Sequence, residues 1–134
     1  MRRWLTALVP TAAALGLLVP LASPAQAAPP DSELVLLWSR YNGVDEPHHI
    51  ATLSCFPDPA TGQHPDPVAA CAALDAVDGQ PSMLPDDARE CTDEFDPVGI
   101  LVIGTWGGAE VFYTEDFGNP CEAARGTAGV FDYA

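Results

Sequence analysis

Apolar residues alternate along residues 33–41, with Leu34, Leu36 and Trp38 on one face and Val35 and Leu37 on the other. This two-residue period predicts a strand. Asn42-Gly43 then turns the chain, and residues 50–55 read as the returning strand. Between residues 56 and 67 four prolines forbid regular structure. Asp66 followed by Pro67 supplies a capping side chain and a preset first helical residue. Ala70, Cys71, Leu74 and Val77 recur at helical spacing until Gly79 ends the helix. Residues 98–106 return to a strand pattern, Gly107-Gly108 makes a two-residue turn, and residues 109–117 come back with Val111, Tyr113 and Phe117 on one face. A short second helix is expected near residues 121–125 and a last short strand over residues 127–133. The layout is α+β, an antiparallel sheet carrying one longer and one short helix.

The first residues set the compartment. Arg2 and Arg3 precede an apolar run over residues 5–21 that is interrupted by Pro10 and Pro20, and Ala25-Gln26-Ala27 fits the small-x-small cleavage pattern of a secretory signal peptide. A membrane anchor fits less well, because the run is broken twice and ends in small residues. Residues 1–27 are therefore assigned to a signal, residues 28–32 (Ala-Pro-Pro-Asp-Ser) to a flexible N-terminal segment, and residues 33–134 to one domain. Cleavage leaves 134 − 27 = 107 residues, a secreted chain with no remaining membrane segment.

Charge narrows the partners further. Cleavage removes two of the five arginines, and Arg40, Arg89 and Arg125 remain against 19 acidic residues, a formal charge of 3 − 19 = −16 with no lysine. Nucleic acid is excluded, because phosphate contacts need clustered Lys or Arg. Such acidity either favours a basic partner or serves solubility.

The candidate chemistry is sparse. His48 and His49 are adjacent, so on a strand they point to opposite faces and share no metal easily. Asp86-Asp87 and Glu115-Asp116 lack the spacing of a calcium loop. No Ser, His and Asp grouping has motif context, so neither an enzyme nor a cofactor or metal site is expected. Trp106 and Phe112 read as sheet packing or dimer contacts rather than a ligand site.

Four cysteines in an oxidising compartment predict two disulfides, and three pairings are open. Zinc is the competing use, but no Cys-x-x-Cys pair is present. The local pairing would clamp a proline-rich loop with one bridge and tie an acidic segment to a later turn with the other. Each ring would contribute roughly 3 to 4 kcal/mol on the chain-entropy model. That acidic segment, Cys91-Thr92-Asp93-Glu94-Phe95-Asp96-Pro97, reads as an exposed loop stiffened by a cysteine at one end and a proline at the other.

Several short stretches together resemble the Streptomyces-type subtilisin inhibitor family: Leu53-Ser54-Cys55-Phe56-Pro57, His64-Pro65-Asp66-Pro67 with Ala70-Cys71, Phe95-Asp96-Pro97-Val98, Phe117-Gly118-Asn119-Pro120-Cys121-Glu122, and the ending Gly129-Val130-Phe131. The likeness runs from about Leu34 to the C-terminus. It implies a secreted serine protease inhibitor with a five-stranded antiparallel sheet, the pairs Cys55–Cys71 and Cys91–Cys121, and a homodimer formed by sheet packing. It also implies that His64 is structural. Carried onto this chain, the reactive bond is Asp93-Glu94, with Cys91, Thr92, Phe95 and Asp96 completing the contact strand. Asn119, beside Cys121, supports the loop from behind.

This chain departs from that family at the bond itself. Members that inhibit subtilisin or trypsin carry Met, Leu, Lys or Arg before the scissile bond, whereas here one carboxylate follows another. An unpaired Asp in an apolar pocket is costly to bury. The expected target is thus an extracellular serine protease that accepts glutamate or aspartate. The alternative is a non-inhibitory secreted acidic binding protein on the same scaffold, whose surface-charge binding would weaken steeply with salt.

Overall fold

The computed structural model describes residues 31–41, 48–56 and 59–133. The signal assignment, residues 28–30 and the Asn42-Gly43 turn lie outside them. Among the described residues the elements are, in chain order, β1 (Ser32–Arg40), β2 (His48–Phe56), β3 (Thr61–Gly62), α1 (Pro67–Asp75), β4 (Val98–Trp106), β5 (Ala109–Phe117) and α2 (Pro120–Gly126), with a 3-10 turn at Pro81–Met83. The strands form one antiparallel sheet in the order β3-β2-β1-β4-β5, and both helices pack on it.

The alternation of β1 is realised directly. Leu34, Leu36 and Trp38 are buried under the helices, and Val35 and Leu37 lie half-buried on the opposite face. Leu36 sits between Ala51 of β2 and Val102 of β4, so the inward rows of three strands meet at the sheet's centre. Ala70, Cys71 and Leu74 of α1, Ala123 of α2, and Val130 and Phe131 complete the core over this face.

Local signals account for α1. Asp66 accepts the Ala69 N–H at 3.0 Å and Pro67 opens the helix. At its end Gly79 adopts φ +67° and donates to the Leu74 carbonyl at 2.8 Å. The Trp106 ring lies flush against that glycine, where a Cβ would fall 2.0 Å from the ring, so the stop signal is also a packing requirement. Cys55–Cys71 bolts α1 to β2, and Cys91–Cys121 joins the acidic loop to α2, the pairing that the resemblance implied.

Three expectations are corrected. Residues 127–133 are turns, not a strand: Ala128 and Gly129 have φ of +50° and +81°, outside the extended region, and Val130 and Phe131 are both buried in the core. The Thr127 hydroxyl instead donates to the Ala123 carbonyl at 2.7 Å and accepts the Phe131 N–H, closing α2. The fifth strand is β3, a two-residue piece inside the proline-rich stretch expected to be irregular, paired with Leu53 and Ser54. Ser32, placed in the flexible N-terminal segment, is fully buried and opens β1, its hydroxyl accepting the Gly107 N–H at 2.9 Å.

The histidines behave as their positions predict. His49 packs edge-on to Trp38 while His48 is exposed on the other side of β2. His64 is buried, accepts the Asp66 N–H at Nδ1 (3.0 Å) and donates from Nε2 to the Val130 carbonyl (2.8 Å), fastening the proline-rich stretch to the C-terminal turns. The Tyr133 ring meets it edge-on, and burial pushes its phenol above the ordinary range.

Candidate reactive loop

Residues 91–97 run without helix or strand from the Cys91–Cys121 bridge to the start of β4. Asp93, Glu94 and Phe95 are exposed, Phe95 at 83%. No ion pair among the described residues uses the Asp93 or Glu94 carboxylate. The two acidic side chains are therefore presented outward, on a backbone that is held from behind.

Asn119 does the holding. It is buried at 5% exposure, and its amide nitrogen donates to the Thr92 carbonyl at 3.1 Å and to the Glu94 carbonyl at 3.0 Å. Its two N–H groups thus straddle the Asp93-Glu94 bond. Its carbonyl oxygen accepts the Glu122 N–H at 2.9 Å, so the same side chain caps α2. Every donor and acceptor of the amide is used, as a buried polar group requires. The resemblance implied a support role for Asn119, and its side chain contacts the carbonyls on either side of the bond expected to be reactive.

Neighbouring residues complete the frame. The Asp96 N–H donates to the Gly118 carbonyl at 2.8 Å, and the Asp96 carboxylate pairs with Arg40 at 3.1 Å. Upstream, the Asp87 N–H donates to the Arg125 carbonyl at 2.9 Å. Arg89 bridges Asp87 (2.8 Å) and Asp132 (3.1 Å), and its hydrogen bond to Asp132 holds the guanidinium above its ordinary pKa. Arg125 faces Asp86 at 3.8 Å. Each of the three arginines in the described domain therefore contacts a carboxylate within residues 86–96. The sequence reading treated these residues only as net charge. The signal it passed over is the inward register of Arg40, two residues beyond Trp38.

The remaining candidates fall elsewhere. Glu115 accepts a hydrogen bond from the Tyr113 hydroxyl on β5, and Asp86 and Asp87 are engaged by arginines, so neither acidic pair forms a separate site. Trp106 is buried against Phe56 in edge-on contact and serves sheet packing, while Phe112 is 76% exposed on the outer face of β5.

Comparison with known proteins agrees with this geometry. A family model described as subtilisin inhibitor-like matches residues 30–119. Subtilisin inhibitor-like protein 3 of Streptomyces coelicolor is 44% identical over 88 residues, 65% of this chain and 81% of that protein. Subtilisin inhibitor-like protein 1 of Streptomyces cacaoi is 37% identical over 107 residues, 76% of this chain and 96% of that protein. Among solved structures, Streptomyces caespitosus sermetstatin, crystallised in complex with Bacillus licheniformis subtilisin, is similar with a TM-score of 0.59 and 32% identity, covering 78% of this chain and 98% of the other. These relatives are named for inhibitors, not enzymes. On the family model and these identities, the chain belongs to the subtilisin inhibitor-like family.

Proposed function

We propose that this chain is a secreted inhibitor of an extracellular serine protease, acting through substrate-like insertion of residues 91–96 with Asp93-Glu94 as the reactive bond. The observation that carries the reading is the Asn119 amide donating on both sides of an exposed bond, two residues from a disulfide that anchors the same loop. A loop ordered before binding loses less entropy in the cleft. Held ends also favour resealing over release, because the amine freed by cleavage stays beside its acyl partner. Secretion rests on the N-terminal signal pattern and on four cysteines paired as two disulfides.

Specificity follows from charge. Asp93 meets the primary pocket as a carboxylate, and burying it unpaired in an apolar pocket costs on the order of several kcal/mol, equivalent to about three powers of ten in affinity. A pocket lined by cations or hydrogen-bond donors removes that cost. An inhibition panel of a glutamate-specific serine endopeptidase, subtilisin and trypsin tests this. The native chain should block the first and act weakly on the others. Asp93→Met should strengthen subtilisin inhibition by about a hundredfold or more while weakening inhibition of the acid-preferring enzyme. If a correctly folded Asp93→Met protein leaves subtilisin untouched, the loop is not a substrate mimic and the non-inhibitory binding protein replaces this reading.

The second partner assigned is another copy of the chain. Ile50, Ile103 and Phe112 are exposed and Leu37 and Leu101 partly covered on the outer sheet face, where Leu37 is registered between Ile50 and Leu101 and Ile103 opposite Phe112. An apolar stripe of this kind on a sheet is matched by the same stripe related by a two-fold axis. Sedimentation equilibrium should give a dimer for the native chain and a monomer for Phe112→Glu; a native monomer at micromolar concentration would remove this assignment.

A further inference from the structure

We propose that Arg40 is the positioning residue that retains the segment following the reactive bond, so that it governs whether a cut loop reseals. The inference rests on the inhibitor reading above and extends it to a residue outside the loop. Arg40 is the last residue of β1 and pairs in register with Val98, the first residue of β4, so it stands where the loop enters the sheet. By alternation it shares the inward face with Trp38, and its guanidinium lies 5.3 Å from the centre of that ring. The outer end of the guanidinium reaches Asp96 at 3.1 Å. Trp38 is itself nearly fully buried, so the arginine is braced on a rigid platform rather than free at the surface.

The two sides of the bond need such a residue unequally. Cleavage adds water across the Asp93-Glu94 amide, leaving an α-carboxylate on Asp93 and an α-ammonium on Glu94; resynthesis expels that water and needs the two ends in place. Upstream, Cys91 is covalently tied to Cys121 two residues from the new carboxylate. Downstream, Glu94 to Pro97 hold no disulfide, and the contacts that retain the new amine include one from Asn119, the Asp96 N–H to Gly118, the Tyr41 N–H to the Pro97 carbonyl at 3.0 Å and the Arg40–Asp96 pair. Of these, the Arg40–Asp96 pair is the one made by a side chain of the central strand of the sheet. The Arg40 Nε is buried with no hydrogen-bond partner among the described residues, so the guanidinium is engaged through the Trp38 ring and the Asp96 carboxylate.

The test compares native chain, Arg40→Met and Arg40→Lys, each checked for thermal stability. Amide hydrogen exchange at Asp96 reads the tether without any protease, and incubation with a glutamate-specific serine endopeptidase reads the ratio of intact to cut inhibitor at equilibrium. Arg40→Met should speed exchange at Asp96 and shift the ratio toward the cut form by about tenfold each, the size of one charge-assisted contact, while exchange in the core strands stays unchanged. Arg40→Lys, which keeps the charge, should recover part of both effects. Unchanged exchange at Asp96 in Arg40→Met, or faster exchange spread evenly through the core, would overturn the proposal. If the endopeptidase neither binds nor cuts the native chain, the inhibitor reading fails, and the exchange measurement still decides whether Arg40 holds this segment.

Discussion

The two flanks of the Asp93-Glu94 bond are fastened by different chemistry. On the upstream side a disulfide lies two residues from the bond, and behind it Arg89 ties Asp87 to the C-terminal turns. On the downstream side the attachments are hydrogen bonds and one ion pair. Both flanks nevertheless converge on one short stretch: the Gly118 carbonyl, the Asn119 amide and the Cys121 sulfur together receive the loop over four residues where β5 passes into α2. A loop can therefore be rigid although its own sequence forms no helix or strand. Its order is borrowed from a helix N-terminus that the core holds through the fully buried Ala123.

The largest effect should come from removing the covalent flank. Replacing Cys91 and Cys121 together by serine opens a ring with a sequence separation of 30. On the chain-entropy model this costs roughly 3 to 4 kcal/mol, a large share of the 5–15 kcal/mol typical of a domain. Replacing Cys55 and Cys71, with a separation of 16, should cost about 3 kcal/mol by the same model. The two differ in consequence. Thermal melts should show comparable destabilisation, yet only the Cys91 and Cys121 variant should be cut rapidly at Asp93-Glu94 at temperatures where both remain folded. Equal cutting of both variants would mean that loop order comes from global stability and not from the local anchor.

The long strands, α1 and the Gly107-Gly108 hairpin were legible because each rests on signals within a few residues: alternation, a cap with proline behind it, and a pair of glycines. The last segment was not. Gly129-Val130-Phe131 has the composition of a strand, but whether Val130 and Phe131 lie on opposite faces depends on the positive φ at Ala128, and nothing local announces an alanine in that region. Two-residue β3 escaped for a similar reason, since its pairing is dictated by β2 across the sheet and not by its own Thr-Gly. Within the candidate reactive loop, the role expected of Asn119 came from the resemblance, and the two hydrogen bonds of its side chain to the Thr92 and Glu94 carbonyls become visible only in the folded chain. Arg40 was invisible because its partner is 56 residues away and the pairing exists only once β1 and β4 are side by side.

A smaller and sharper change separates the two duties of Asn119. Asn119→Ala would remove the cap of α2 and both loop contacts at once, so a loss of inhibition would not say which mattered. Asn119→Asp keeps an acceptor for the Glu122 N–H, and a carboxylate at a helix N-terminus is favourable. It removes both donors and sets negative charge against the Thr92 and Glu94 carbonyls. Two lost hydrogen bonds at about 1 kcal/mol each predict roughly 2 kcal/mol less retention of the loop, about thirtyfold in the balance between intact and cut inhibitor. The melting temperature should fall far less than in the double cysteine variant. Because Asn119 touches both flanks, the substitution should also release them together: exchange at Phe95 and Asp96 and cutting at Asp93-Glu94 should rise in parallel. Should Asn119→Asp instead lower the melting temperature while the cut-to-intact ratio stays native, Asn119 matters as a helix cap alone, and the flanks are held independently of each other.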